Sequence, residues 1–324
     1  MKICFLDNTK IPYTSKDLTH SIIRGAESIL INLSKEFNKL GHHVTVYNHT
    51  DGNQIIDNIK WSNLKYTDPL ENYDLAITNN DIRLFNLVKA NRYVAFSHSI
   101  QSLEKFIRKK QLISFLKYKP KIVLLSNYHE NNRNFILKMF GTIKVDWAVD
   151  QIFLDTHINS NFNEEIAIFT SRNDRNLDML IDIWKKKIFP INNKLKLLCT
   201  PSSLIDENFG IFPRSFSSRK FLIKDMLKSK IFLVPGHKSE LFCLAAEEAR
   251  ELCIPIVTLG IGALSERVQH SKTGFIAKNS EEFAYYTLKI FKDIDLWNEL
   301  RNNLFRLRGS KVWSNVASKI LKNI

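Results

Sequence analysis

A chain of 324 residues with 44% hydrophobic content is long enough for two ordinary cores. Its apolar runs fall well short of a membrane span, and its four cysteines, Cys4, Cys199, Cys243 and Cys253, form no CxxC pair, which argues against membrane helices and against a disulfide or zinc framework. A net charge of +14 points to anionic surroundings: nucleic acid, anionic lipid or phosphorylated ligands.

The first residues, Met1 to Asp7, are too short and too soon acidic for a secretory signal. They read as a first strand, Lys2–Leu6, and with thiols suited to a reducing compartment they place the protein in the cytoplasm. Ala26, Ile29, Leu30, Leu33, Phe37 and Leu40 make one stripe at helical spacing, so Gly25–Leu40 is a helix, stopped by Gly41. His43–Tyr47 is the second strand, and Leu75–Thr78, Tyr93–Phe96 and Ile122–Leu125 read as further buried strands. Lys105–Lys121 is basic with interleaved Phe106, Ile107, Leu112, Ile113, Phe115 and Leu116, and Phe106–Tyr118 reads as one amphipathic surface helix. It either meets anionic lipid through Lys105, Arg108, Lys109 and Lys110 or packs on a core with its basic face in solvent.

Near Ala148–Asp155 the strand–helix rhythm pauses, and Asn159–Glu165 is polar and linker-like. A second series follows: a strand at Ile166–Phe169, a helix near Leu177–Lys186, a strand at Leu195–Leu198, a helix near Arg219–Leu227, a strand at Ile231–Val234 and another at Pro255–Thr258. Glu281–Ile324 is helical in pattern. The expected fold class is α/β, with two doubly wound Rossmann-like domains facing each other across a cleft. Their bounds are 1–155 and 156–309, and a terminal helix at 310–324 packs back on the first.

The most informative segment is Glu240–Ala249, with Glu240 and Glu248 eight positions apart. An uninterrupted helix would set two such acids about 80° apart, so a loop before the helix is needed to converge them. Strand ends that meet helix N-termini are where open parallel sheets bind ligands, anions above all. The bland alternative is a solvated acidic helix face, since Glu247 and Glu251 are also acidic.

Together these residues resemble family 4 of the retaining glycosyltransferases, whose fold of two facing Rossmann-like domains is called GT-B. The Glu-x7-Glu motif ending in Glu-Ala is matched by Glu240 to Ala249. Cys253 to Val257 is similar to the Cys-Gly-x-Pro-Val-Val strand, and Glu266-Arg267-Val268 and Thr273-Gly274-Phe275 to the turns that follow it. Gly25-Ala26-Glu27, Gly41-His42-His43-Val44, Val149-Asp150 with Phe153, and Trp313 match further family positions in order. Five glycines are lost: Arg24, Ser171 and Ile254 stand where the family has glycine, and Leu241-Phe242-Cys243 replaces Gly-Phe-Gly. Each lost glycine adds a Cβ where bare backbone often approaches phosphate.

The resemblance implies a nucleotide-sugar donor. Glu248 would hold the ribose and Glu240 the transferred sugar, since carboxylates accept well from paired hydroxyls. Backbone N–H groups of Phe242, Cys243 and Leu244 would meet the diphosphate, as would Gly25 if it is more than a helix start. Arg172 and Arg175 would neutralise the leaving diphosphate, or else form a surface pair with Asp174 and Asp178. His98, at a strand end, would touch the donor sugar, or simply be satisfied by backbone. No cofactor or metal is expected; Asp293-Ile294-Asp295 matches a metal motif of a different fold, away from any strand end. The implied activity is retaining transfer to a cell-envelope glycan or lipid-linked acceptor, with peripheral membrane contact and no nucleic acid. A sugar-nucleotide epimerase of the same architecture and a degenerate, non-catalytic binding module are the alternatives.

Overall fold

The computed structural model describes residues 1–20, 23–158, 165–215 and 218–324. Positions 159–164 of the expected linker lie outside the described residues. Two compact units form: Met1–Ala148 with Val312–Ile324, and Val149–Lys311.

The first unit is built on β1 (Lys2–Asp7), β2 (His43–Asn48), β3 (Asn53–Ile56), β4 (Ile59–Asn63), β5 (Asn72–Asn79), β6 (Lys89–Phe96), β7 (Lys121–Leu124) and β8 (Thr142–Lys144). They lie in the order β3-β4-β2-β1-β5-β6-β7-β8. Ile3 faces Val44 on one side and Leu75 on the other. All neighbours are parallel except β3 and β4, a hairpin whose turn is made by Asp57 and Asn58, both at positive φ. The near-continuous apolar run of β1 follows from burial on both faces of a parallel sheet. The helix Gly25–Lys39 covers one face, with Phe37 stacked 5.8 Å from Phe5. Its end is a Schellman closure: Gly41 donates to the Asn38 carbonyl and His42 to that of Phe37. The final helix, Trp313–Lys322, belongs to this unit, and Trp147 sits between Phe96 and Trp313. Burying side chains of this size contributes about 1.5–3 kcal/mol each.

The basic segment is not one helix. It forms Leu103–Arg108 and Leu112–Tyr118, broken by Lys110 at φ 55°. Gln111 donates to Phe106 and Lys110 to Ile107, so the first helix closes as a Schellman motif with lysine where glycine is usual.

The second unit holds β9 (Ile166–Ile168), β10 (Lys196–Cys199), β11 (Ile211–Pro213), β12 (Ile231–Leu233), β13 (Ile256–Thr258) and β14 (Gly274–Ile276). The order is β11-β10-β9-β12-β13-β14, all parallel. The chain winds outward from β9, then returns to the other side of β9 with β12. The strand order therefore reverses between β9 and β12, as it does between β1 and β5 in the first unit. Such reversals open crevices at the carboxyl ends of the strands.

Candidate functional site

In the second unit the loops after β9 and β12 meet at the reversal point. Asn176, at φ 64°, donates its amide to the Gly236 carbonyl at 2.5 Å. Arg175 lies beside it, with Nη1 3.2 Å from His237 Nδ1 and Nε 3.6 Å from Glu240 Oε2. His237 Nδ1 also accepts from the Ser239 N–H at 3.0 Å, which fixes it as the unprotonated ring nitrogen. Glu240 Oε1 accepts from the Cys243 N–H at 3.1 Å. Burial pushes the Glu240 carboxyl up, against the opposing pull of Arg175 and the Cys243 N–H.

Glu240 lies in the loop and Glu248 within the helix Leu244–Glu251, so the loop separates the acids as their spacing requires. The helix is entered through Cys243 at φ 65°, ψ 76°, a left-handed conformation for a residue with a Cβ. Gly262 lets the next loop approach: a Cβ there would lie 2.4 Å from the His237 carbonyl and 2.8 Å from that of Glu240. The Ala263 N–H then reaches the Glu240 carbonyl at 2.8 Å.

Glu248 is buried and already engaged. Arg219 Nη1 donates to its Oε1 at 2.7 Å, and Arg219 Nε lies 2.5 Å from Asp150 Oδ2. Burial raises the Glu248 carboxyl, Asp150 adds to this, and Arg219 and Arg214 oppose it. Glu247 and Glu251 are not a solvated face. Glu247 is held by Arg250, Arg267 and Lys311, and Glu251 by Arg250 and the Gly309 N–H. Phe242 packs its ring beneath Arg267 and Lys311. The helix is thus locked by ions on one side and presents its first turn, beginning at Leu244, to the loop that holds Glu240.

Arg172 stands apart from Arg175. It is 74% exposed and paired with Asp174 at 2.6 Å. Asp293 has a structural setting: it caps the helix Ile294–Leu307 by accepting from the Leu296 N–H. Among the described residues, no group of three or more His, Cys, Asp or Glu could hold a metal ion.

In the first unit, His98 follows β6. Its backbone N–H donates to Asn80, its ring Nε2 is out of solvent with no partner among the described residues, and burial lowers its pKa to about 4. Gly25 opens its helix with Arg24 as the cap residue. At the reversal between β1 and β5 lies a cavity of about 500 Å³ lined by Asp7, Asn79, Arg83, Arg108, Lys109 and Lys110. Lys105 instead turns inward to the Ser99 hydroxyl.

Reading the sequence missed Arg219, Asp150 as its partner, and His237. Arg219 opens a predicted helix and Asp150 sits in a quoted motif, but nothing in the spacing pairs them.

Two sheets of this topology, each with a crevice at its strand-order reversal, are the architecture of the GT-B glycosyltransferases. Residues 215–305, which include the whole Glu240–Glu248 segment, match the family model of the glycosyl transferases group 1. A search by sequence among curated proteins finds no match. Among solved structures the chain is similar to the sucrose-phosphate synthase of Thermosynechococcus elongatus, with a TM-score of 0.73, 12% identity and 99% and 98% of the two chains covered. It is similar to HepE of Anabaena, solved with UDP, with a TM-score of 0.73, 15% identity and both chains fully covered. It is also similar to WaaG, a glycosyltransferase involved in lipopolysaccharide biosynthesis, with a TM-score of 0.67, 12% identity and 98% of each chain covered. The resemblance to group 1 glycosyltransferases therefore holds in the fold and, by sequence, in residues 215–305.

Proposed function

We propose that the protein is a retaining glycosyltransferase that takes a sugar from a nucleoside-diphosphate sugar and adds it to a cell-envelope glycan or a lipid-linked acceptor. The observation that carries this reading is the half-buried Arg175–Glu240 pair at the β9–β12 reversal, next to the first turn of the helix Leu244–Glu251. Arg175 meets the diphosphate as charge builds on it, and its partial burial strengthens that attraction. Glu240 accepts from hydroxyls of the transferred sugar, and Glu248 from the ribose with the lone pairs that Arg219 leaves. His98 positions the sugar. The bond from the anomeric carbon to phosphate breaks as the bond to the acceptor oxygen forms on the same face, and the acceptor proton passes to the departing phosphate oxygen. No metal takes part, because Arg175 supplies the positive charge.

Uridine is the first nucleotide to test, since HepE was solved with UDP-glucose. The direct experiment is incubation with a panel of nucleotide sugars and acceptors, with the product's anomeric configuration read by NMR. No melting shift with any nucleotide sugar would sink the reading. A second reading, a binding module without turnover, rests on Cys243 in its left-handed conformation and on Glu248 tied to Arg219; it is met by donor binding without transfer or release of nucleotide.

Membrane contact is part of the proposal. Ile113 and Phe135 are 79% and 77% exposed, and Ile107, Leu116 and Met139 are exposed near them in sequence, among Lys109, Lys117, Lys119 and Lys138. Apolar residues among lysines suit the headgroup region of an anionic bilayer. No helix among the described residues is long and apolar enough to cross a membrane.

A further inference from the structure

Arg133 is the outstanding unexplained charge in the first unit. It is 4% exposed, and none of its three guanidinium nitrogens has a hydrogen-bond partner among the described residues. Arginine does not shed its proton to escape burial; even with its pKa lowered to about 10 by burial, it stays charged at neutral pH. The acid in its field is Glu130, which is spent on a surface bridge to Lys144 at 3.1 Å.

The neighbours of Arg133 are of one kind. His129 is fully buried; its Nδ1 accepts from the Leu125 N–H at 3.4 Å, so Nε2 carries the proton, and that N–H has no partner among the described residues. His129 lies within the fields of both Arg133 and His98, whose Nε2 is likewise without a partner. Gln101 is tied to this place by its carbonyl, which accepts from the Asn134 N–H, and its side-chain oxygen is also unpartnered among the described residues; an amide can turn to offer its NH₂ instead. His98 follows β6, and His129 and Arg133 follow β7, its neighbour in the sheet. The cluster therefore sits at the carboxyl edge, where parallel sheets bind ligands. Buried donors of this kind, one of them a permanent cation, match an oxyanion.

We propose that Arg133, His129, Gln101 and His98 form a binding site for a phosphate-type oxyanion in the first unit. The oxyanion is carried by a phosphorylated acceptor or by the nucleotide of the donor; the chemistry is the same, and binding separates the two sources. The inference shares His98 with the donor reading, but it is carried by Arg133, His129 and Gln101, which that reading does not use.

The test is a melting-temperature titration of the full chain with inorganic phosphate against potassium chloride at matched ionic strength, and separately with UDP. Wild type is expected to show a phosphate-specific rise. Arg133→Met weakens the phosphate response at least tenfold and His129→Gln weakens it less. Arg133→Met breaks no ion pair among the described residues, so it is expected to fold, which its own melting transition checks. If its UDP response survives, the oxyanion belongs to the acceptor; if that response falls in parallel, the oxyanion belongs to the nucleotide, and either result supports the site. No phosphate-specific rise in wild type, or an equal rise in wild type and both variants, overturns it. A wild type that answers phosphate but no nucleotide sugar would sink the donor reading and leave this one standing.

Discussion

Arg219 bridges two carboxylates: Nη1 reaches Glu248 at 2.7 Å and Nε reaches Asp150 at 2.5 Å, with all three side chains nearly out of solvent. Removing the cation strands two buried acids. Arg219→Met is expected to cost about 3–5 kcal/mol of stability. Glu248, already raised by burial, is raised further in the variant. A raised carboxyl contributes its stability below its unfolded pKa and loses it as pH climbs through the folded value. The gap between variant and wild type should therefore narrow as pH falls toward the ordinary carboxylate range. Urea unfolding at acid and neutral pH measures both effects; a gap that widens in acid contradicts the assignment.

Arg175 should matter to turnover far more than Arg172, which is exposed and paired with Asp174. Arg175→Ala is expected to lower kcat/KM by about 10²–10³, the scale of losing one preorganised charge-stabilising donor. Arg175→Lys recovers part of it, since the charge remains and the fork geometry does not. Arg172→Ala stays within a few-fold of wild type, and chelation with EDTA leaves the rate unchanged. Steady-state kinetics with the active donor decide it.

Gly262 supports Glu240 through the backbone. Alanine there would meet two carbonyl oxygens and hold an unfavourable φ of +75°. Gly262→Ala is expected to cost about 1–3 kcal/mol and to raise the donor's KM as the Glu240 loop is pushed away. Unchanged melting and kinetics together would show that the loop yields without consequence.

His98 and His129 are held neutral by burial, each with its pKa lowered to about 4; Arg133 and His98 add to the effect at His129, whereas Asp7 opposes it at His98. A lowered histidine contributes stability above its unfolded pKa, and that contribution drains away as pH falls through the folded value. Stability should fall between roughly pH 6.5 and 4, by up to about 3 kcal/mol for each ring. His129→Gln, with no titrating ring, should flatten this limb in a melting profile against pH.

The lipid proposal predicts that replacing Ile113, Leu116 and Phe135 together by serine abolishes co-sedimentation with anionic vesicles and leaves neutral-vesicle controls and the melting point unchanged. Retained co-sedimentation would remove this face from consideration.

The strands at the centre of each sheet were legible because burial on both faces writes a short apolar run, as in Ile3 to Leu6 and Ile231 to Leu233. The hairpin of β3 and β4 was not, because Asn53 to Ile56 is a largely exposed edge with no alternating pattern. The break at Lys110 left no trace either, since a lysine took the left-handed position that glycine normally marks. In the candidate site, the eight-residue spacing of Glu240 and Glu248 called for a loop before the helix, and the helix does begin only at Leu244. Their partners were invisible: Arg219 lies 29 residues before Glu248, and only the packed sheet brings them together. The ion cluster around Glu247 shows why acidic residues on a helix cannot be assigned to solvent from sequence alone. Lys311, from far along the chain, decides the matter.

The return of the last helix to the first unit sets an order of events during synthesis. Trp313 stacks near Trp147, yet the whole of the second unit, Val149–Lys311, is translated between them. The first unit therefore leaves the ribosome with the surface of Gly25–Lys39 and the Trp147 ring uncovered, and it can be completed only after the second has emerged. A nascent-chain protease assay should find the amino-terminal unit cleavable until the final helix is released and resistant afterwards, so that its maturation is timed by the length of its partner unit.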